Sequence, residues 1–464
     1  MKKSNTLNSG LTVFTAVFSA LLAIVIANNS YAEQQPLSFA QAIKKAQKND
    51  PWLDGSRHKQ QSLESLSHAA NTQPDPKVSI AFANLPTDSF DFSQEGMTQL
   101  KVGVSQMFAR GDSLAIKNKQ LKLQSQQQPL QRQDRQNKVA VTVGSMWLDL
   151  YRIQQSISLI EQNRSLFEQL SELVEASYGS GLGKTRQYDI VRAQLELTRL
   201  EDKLNQLKLE QNRYQGMLRQ WLTDFSFAGA ATRQSNLNSS LTTINISGEL
   251  PQLTLINQSV VYHEKALATE QLALLLAEHP SVLAIDKKIA ATGKNIDLAE
   301  QKYQPQWGVS ASYGYRGDDQ IGNSRADLFS LGVVFDVPLF TNNRQDNEVK
   351  SAIAKTEAIK TEKLLLIRQL ISAFASAKGR LLRLNERQAL YQDRLLPQIH
   401  DQAQASLTAY TNDDGDFAEV VRARIAELNA QIDFLAINVQ QQKIILEINY
   451  LFVGSIVPSQ KGES

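Results

Sequence analysis

Trp307-Gly308-Val309-Ser310-Ala311-Ser312-Tyr313-Gly314-Tyr315 is the stretch on which the fold turns. Its odd positions carry Trp, Val, Ala, Tyr and Tyr, and its even positions carry Gly, Ser, Ser and Gly. Strict alternation over this length gives a β-strand with one apolar and one small, polar face. A second strand follows, with Phe329, Leu331, Val333, Phe335 and Val337 alternating against Ser330, Gly332, Val334 and Asp336. The same pair is written earlier in the chain. Val78, Ile80 and Phe82 alternate with Ser79, Ala81 and Ala83, and Leu100, Val102 and Val104 alternate with Lys101, Gly103 and Ser105. Four strands cannot close a membrane barrel, since known barrels begin at about eight strands. If these strands line a wet lumen, several chains must share it.

Working outward, the two hairpins belong to a longer repeat. Asp50-Pro51-Trp52-Leu53 resembles His279-Pro280-Ser281-Val282, and Asp75-Pro76-Lys77-Val78 resembles Gln304-Pro305-Gln306-Trp307. Gln106-Met107-Phe108 matches Pro338-Leu339-Phe340, Tyr178 matches Tyr410, and Val191-Arg192-Ala193 matches Val421-Arg422-Ala423. The offsets are 229, 229, 232, 232 and 230, which points to a tandem duplication. The division expected is residues 33–231 for the first repeat, 232–250 for a Ser/Thr/Asn-rich linker and 251–452 for the second repeat. A polar tail follows at 453–464. The first repeat opens with an amphipathic helical stretch from about Ser38 to Asn71.

The helices are long. From Ser113 to Tyr178 the only Pro and Gly are Pro129 and Gly144, and from Arg344 to Tyr410 they are Gly379 and Pro397. Helices of this length span about 100 Å, more than a globular domain uses. Each meets a polar turn and a returning helix with a heptad seam. The first seam is Ile190, Ala193, Leu197, Leu200, Leu204, Leu207, Tyr214 and Leu218. The second is Val421, Ile425, Leu428, Ile432, Leu435, Val439 and Leu446. The class is therefore mainly α with a small β part, built from duplicated antiparallel coiled-coil hairpins.

Residues 1–32 read as a secretory signal peptide. Lys2 and Lys3 precede an apolar run from Leu11 to Ile26, and Ser30-Tyr31-Ala32 is a small-x-small cleavage site. No later stretch is apolar enough for a membrane-spanning helix. An exported chain of this kind is periplasmic, secreted or part of an outer-membrane β-barrel. Cysteine is absent, which excludes disulfides, thiol catalysis, Cys-bound metal and an acylated N-terminal cysteine. The net charge of +2 gives no support to nucleic-acid binding.

No catalytic constellation stands out, and no cofactor is expected. Gly179-Ser180-Gly181-Leu182-Gly183-Lys184-Thr185 has Tyr178 where a phosphate loop needs glycine, so it reads as a helix–helix turn. No two of the five histidines stand three or four residues apart. Asp413-Asp414-Gly415-Asp416 lacks the ligand spacing of a calcium loop and reads as a solvated turn, with Asp416 as N-cap of the last helix.

The duplicated helix–strand–strand–helix–helix plan resembles the TolC-like outer-membrane efflux protein family over about Leu37 to Leu451. Local matches are Leu37-Ser38-Phe39-Ala40-Gln41-Ala42 with Asn49-Asp50-Pro51, and the hairpin turns from Tyr178 to Ala193 and from Tyr410 to Ala423. The resemblance implies a homotrimer whose strands share one 12-stranded outer-membrane β-barrel and whose helices form an α-barrel tunnel across the periplasm. It also implies a periplasmic adaptor and an inner-membrane pump as partners, with outer-membrane lipid around the barrel. Such a protein is a passive exit duct. The same fold serving type I protein secretion, and a non-channel coiled-coil scaffold, are the competing readings.

By resemblance, acidic residues on the second hairpin ring the periplasmic aperture. Glu419 holds the first such position, while Arg422 stands where acid is common. Three Arg422 beside three Glu419 would pair between protomers. Asp189 and Arg192 are the matching positions on the first hairpin. The adaptor-contact tips expected are Gly179, Gly181, Gly183 and Lys184 on one hairpin and Asp413, Asp414, Gly415 and Asp416 on the other. Phe90-Asp91-Phe92, Gly96-Met97-Thr98 and Val104 to Asp112 are similar to the copper- or silver-type cation efflux subgroup, but five methionines in all make no thioether ladder.

Overall fold

The computed structural model describes residues 36–180, 186–223, 244–262, 267–412 and 415–452. The signal segment, the C-terminal tail and most of the Ser/Thr/Asn-rich linker lie outside the described residues. So do Gly181, Gly183, Lys184, Asp413 and Asp414.

The helical stretch expected from Ser38 to Asn71 is two helices, α1 (Phe39–Lys48) and α2 (Pro51–Ala69). Ser38 and Gln41 cap α1 reciprocally, the Ser38 amide donating to Gln41 Oε1 at 3.1 Å and the Gln41 amide to Ser38 Oγ at 3.3 Å. Asn49 ends it. Pro51, which lacks an N–H, then takes the first position of α2, and Asp50 caps that helix through the Trp52 amide at 3.1 Å. β1 (Lys77–Ala83) and β2 (Gln99–Met107) follow. The long helix α3 runs from Ser113 to Ser180, straight through Pro129, and α4 (Gln187–Leu222) returns.

The order then recurs. Short helices α5 (Gln258–Tyr262) and α6 (Thr269–Ala277) lead to α7 (Pro280–Glu300). Strands β3 (Trp307–Tyr315) and β4 (Leu328–Phe335) come next. The second long helix is not uniform. α8 (Gln345–Leu390) passes through a π-helical turn at Tyr391–Leu395 into α9 (Leu396–Thr411). The wider turn lies just ahead of Pro397, whose ring would otherwise clash with the carbonyl four residues back. α10 (Phe417–Leu451) closes the fold, with Asp416 accepting from the Ala418 amide at 3.1 Å.

The strands form one antiparallel sheet in the order β1-β2-β3-β4. The helices follow the same order. α2 packs on α3, α3 on α7, and α7 on α8; further along, α4 packs on α3, α3 on α10, and α10 on α8 and α9. The result is a wall one helix thick. Two apolar clusters hold it. One, around Phe39, Ile43, Trp147, Leu218, Leu276, Leu381 and Leu446, lies where α1, α3, α4, α6, α8 and α10 meet. Trp147 is fully buried there and its indole N–H donates to the Leu37 carbonyl at 3.0 Å. The described end of the linker is docked into this cluster: Ile246 is buried and bridges Leu37. The second cluster, around Ile153, Ile160, Val174, Leu200, Phe417 and Leu428, holds the far hairpins together. Next to the sheet the packing is polar. Ser56 donates to Gln128 Oε1 at 3.2 Å, and Asn118 donates to the Ser67 carbonyl at 2.6 Å.

Candidate functional site

The sheet carries the chemistry of a boundary. Register pairs Val78 with Val104, Ile80 with Val102 and Phe82 with Leu100; β2 to β3 pairs Leu100 with Tyr315 and Val102 with Tyr313. β3 to β4 pairs Tyr313 with Phe329, Val309 with Val333 and Trp307 with Phe335. Paired residues share a face, so these side chains make one apolar surface. It is open: Ile80, Phe329 and Leu331 are 72%, 71% and 74% exposed. The opposite face is Ser79, Gly103, Ser312 and Ser330 in one row, and Ser105, Ser310 and Gly332 in another. Gly314 lies on that face, and the side-chain amide of Gln99 fills the space a Cβ would take. β1 and β4 are free edges among the described residues. Exposed apolar edge strands are templates for pairing with another chain.

At one end, loop residues 84–98 and 316–327 lock together. Arg316 donates to the Gly96 carbonyl, and Arg325 donates to the Glu95 and Ser93 carbonyls at 3.0 and 3.1 Å. Phe92 stacks on Tyr315 with ring centres 6.3 Å apart. At the other end the sheet joins the helices through a collar. Arg110 pairs with Asp336 and donates to the Gln304 carbonyl at 3.0 Å, and Gln306 donates to Asp336 Oδ1 at 2.6 Å. This explains why β4 stops at Phe335 rather than continuing to Val337: Asp336 turns into the collar. A groove of about 700 Å³ opens beside it, lined by Arg110, Lys302, Leu339, Phe340 and Arg344 among others.

The far hairpins hold the residues assigned to the aperture. Asp189 is buried and turned back onto its own helix, accepting from the Arg186 amide at 2.9 Å. It is the third residue of α4 and stands in for a cap that Arg186, with only donors on its side chain, does not supply. Arg192 is half-buried one turn along. On the second hairpin Asp416 performs the capping, which frees Glu419. Glu419 is ion-paired with Arg422 on the same helix, both well exposed. Tyr410 packs edge-on against buried Phe417, while Tyr178, Tyr188 and Val191 on the first hairpin are exposed. Gly179, next to last in α3, has open space around it, whereas a Cβ on Gly415 would strike the Tyr410 backbone amide.

Two ionised or polar clusters brace the wall. Asp50 and Arg135 pair at 2.7 Å, and the guanidinium lies between the rings of Trp52 and Trp221 at 5.9 and 5.5 Å. At the matching corner His279 caps α7 through the Ser281 amide at 3.2 Å. Burial pushes its imidazole below the usual histidine range, against the opposing pull of the Asp134 carboxylate and the Tyr450 backbone. Tyr450 donates to Asp134 at 2.8 Å, and burial first, then the Asp134 charge, pushes its phenol up.

The sequence reading missed the collar and the only charged side chains within the strands, Lys77 and Lys101. Their signal was available: two lysines in four strands that hold no carboxylate.

Residues 272–449 match the family of outer membrane efflux proteins. The outer membrane efflux protein BepC of Brucella suis biovar 1 (strain 1330) is 23% identical over 350 residues, covering 74% of this chain and 70% of that protein. The fold is shared with CusC, a structure described for transmembrane channel formation, at a TM-score of 0.69 and 14% identity over 90% of this chain and 93% of that one. It is shared with the Campylobacter jejuni CmeC outer membrane channel at a TM-score of 0.67 and 13% identity, over 89% and 85% of the two chains. In its efflux-protein domain match over residues 272–449, its open two-faced sheet and its layered helices, the chain is similar to the outer membrane efflux proteins.

Proposed function

We propose that this chain is one of three protomers of an outer-membrane exit duct. It conducts solutes passively from a periplasmic adaptor and an inner-membrane pump to the outside. The observation that carries this is the sheet: two free edges, one exposed apolar face and one small, polar face, continuing into a helical wall. Three such sheets joined β1 to β4 make twelve strands with the apolar face toward lipid, and the walls continue the tube into the periplasm. The number three follows the family. The two repeats, residues 33–231 and 251–452, then alternate around the tube. Nothing in this scheme asks the chain for catalysis.

The far hairpins are the periplasmic end. Glu419, Arg422 and Arg192 are the groups there that a neighbouring copy or a passing solute meets, while Asp189 supports the turn from within. The turns at Gly179–Tyr188 and Thr411–Phe417 are the adaptor contacts.

The test uses the absence of native cysteine. One cysteine on β1 and one on β4 are separated within a chain by two strands, about 14 Å, so oxidation links only different copies. A ladder ending at a trimer in outer-membrane fractions is expected. Monomers alone, soluble without detergent, would remove the duct in favour of a periplasmic scaffold. A deletion strain decides the cargo between metal cations and drugs: unchanged copper and silver tolerance with raised drug sensitivity removes the copper- or silver-type reading.

A further inference from the structure

We infer that Lys77 and Lys101 give the sheet part of the duct a preference for anionic over cationic solutes. This rests on the duct reading above. Register places both lysines on the small, polar face: Lys77 pairs with Ser105, and Lys101 pairs with Ala81 on one side and Gly314 on the other. That face is opposite Val78, Ile80 and Phe82, so both ammonium groups look into the lumen. Both side chains are exposed, and among the described residues neither is in an ion pair. The four strands hold no Asp or Glu. The carboxylates lie outside the strands: Asp75 stands two residues before Lys77, and in the end loops and collar Asp327 accepts from the Arg316 amide, Asp319 from the Ile321 and Asn323 amides, and Asp336 from Gln306.

The charge is spread along the axis rather than gathered at a rim. Lys101 lies opposite Ala81, four residues beyond Lys77, which separates the two levels by about 13 Å. Each further copy of the chain repeats both levels. A wall backed by lipid focuses the field of these charges into the water it encloses. The field reaches about 30 Å at 0.01 M salt and about 3 Å at 1 M, so the preference is strong in dilute solution and fades in concentrated salt. The solutes favoured are anionic or zwitterionic organic molecules, and hydrated metal cations are disfavoured.

The experiment is the reversal potential of the purified full chain in planar bilayers under a KCl gradient. The wild type is compared with Lys77→Gln, Lys101→Gln and Lys101→Glu. The expected result is a fall of roughly twofold or more in the anion-to-cation permeability ratio for each Gln variant near 0.01 M, a larger fall for Lys101→Glu, and convergence near 1 M. Lys101→Cys in this cysteine-free chain gives a second readout on one folded channel. An anionic thiol reagent shifts the potential toward cations, and a cationic reagent restores it. Open channels whose reversal potential is unmoved by the substitutions and by both reagents overturn the inference. A wild type that forms no channels overturns the duct reading instead.

Discussion

The two halves of the chain repeat the same elements and distribute their charges differently. At the corner that opens the main helices, the first half uses Asp50 ion-paired with Arg135, and the second uses neutral His279. In the sheet, the first hairpin holds both lysines, while the second holds Trp307, Tyr313, Tyr315, Phe329 and Phe335 on its apolar face. At the tips, Asp189 is spent on capping and Glu419 is free to pair with Arg422. The difference teaches that the repeated backbone needs the same jobs done at the same places. The residue that does each job decides which neighbours remain available to solvent, lumen or partner.

The strongest way to break this comparison is at the corners. Asp50→Ala removes a helix cap and strands Arg135 between two tryptophans, and is expected to cost about 2–4 kcal/mol. His279→Ala removes a cap alone and is expected to cost about 1 kcal/mol. Guanidinium unfolding of the detergent-solubilised protein measures both, and equal losses would show that the charge of the first corner does not matter.

At the tips, Asp189→Ala is expected to cost about 1 kcal/mol, felt as faster amide exchange over the first turn of α4. Glu419→Gln breaks only an exposed pair within one helix and is expected to cost less than about 0.5 kcal/mol. Exchange that accelerates at α10 instead of α4 would reverse the assignment of the two carboxylates.

A smaller effect comes from acid. Burial holds the His279 imidazole below its ordinary value of 6.5, so the folded chain keeps it neutral. Below that pH the unfolded chain takes up the proton more readily. The contribution is therefore complete above about pH 6.5 and is lost progressively as the pH falls. Asp134, Lys138 and Tyr450 face the same cluster. Asn still caps a helix and does not titrate, so His279→Asn is expected to flatten this part of the pH profile. An unchanged profile would assign the acid sensitivity elsewhere.

Much of the fold was legible because it is written in periods. Alternation over residues 307–315 and 78–82 located the strands, and heptads located the returning helices. The breaks were less legible because they depend on single side chains. Asn49-Asp50-Pro51 divides what periodicity joins, and Asp336 takes β4 into the collar two residues before the alternation ends. The residues expected at the aperture came from resemblance to a family, and resemblance does not say which carboxylate a helix end will consume. For Asp189 the clue lay three residues earlier, where Arg186 has no acceptor to offer.

By itself the sequence determined that the chain has two strand pairs and two helices of about 100 Å, and that four strands cannot close alone. Periodicity and element length are local properties, and each residue contributes to them wherever the chain goes. Only the tertiary structure decided that both lysines share the polar face, that Arg110 reaches Asp336 226 residues away, and that Asp189 faces inward while Glu419 faces out. Those facts depend on strand register and on which backbone groups remain unpaired once the elements meet, and neither is encoded in any one stretch of the chain.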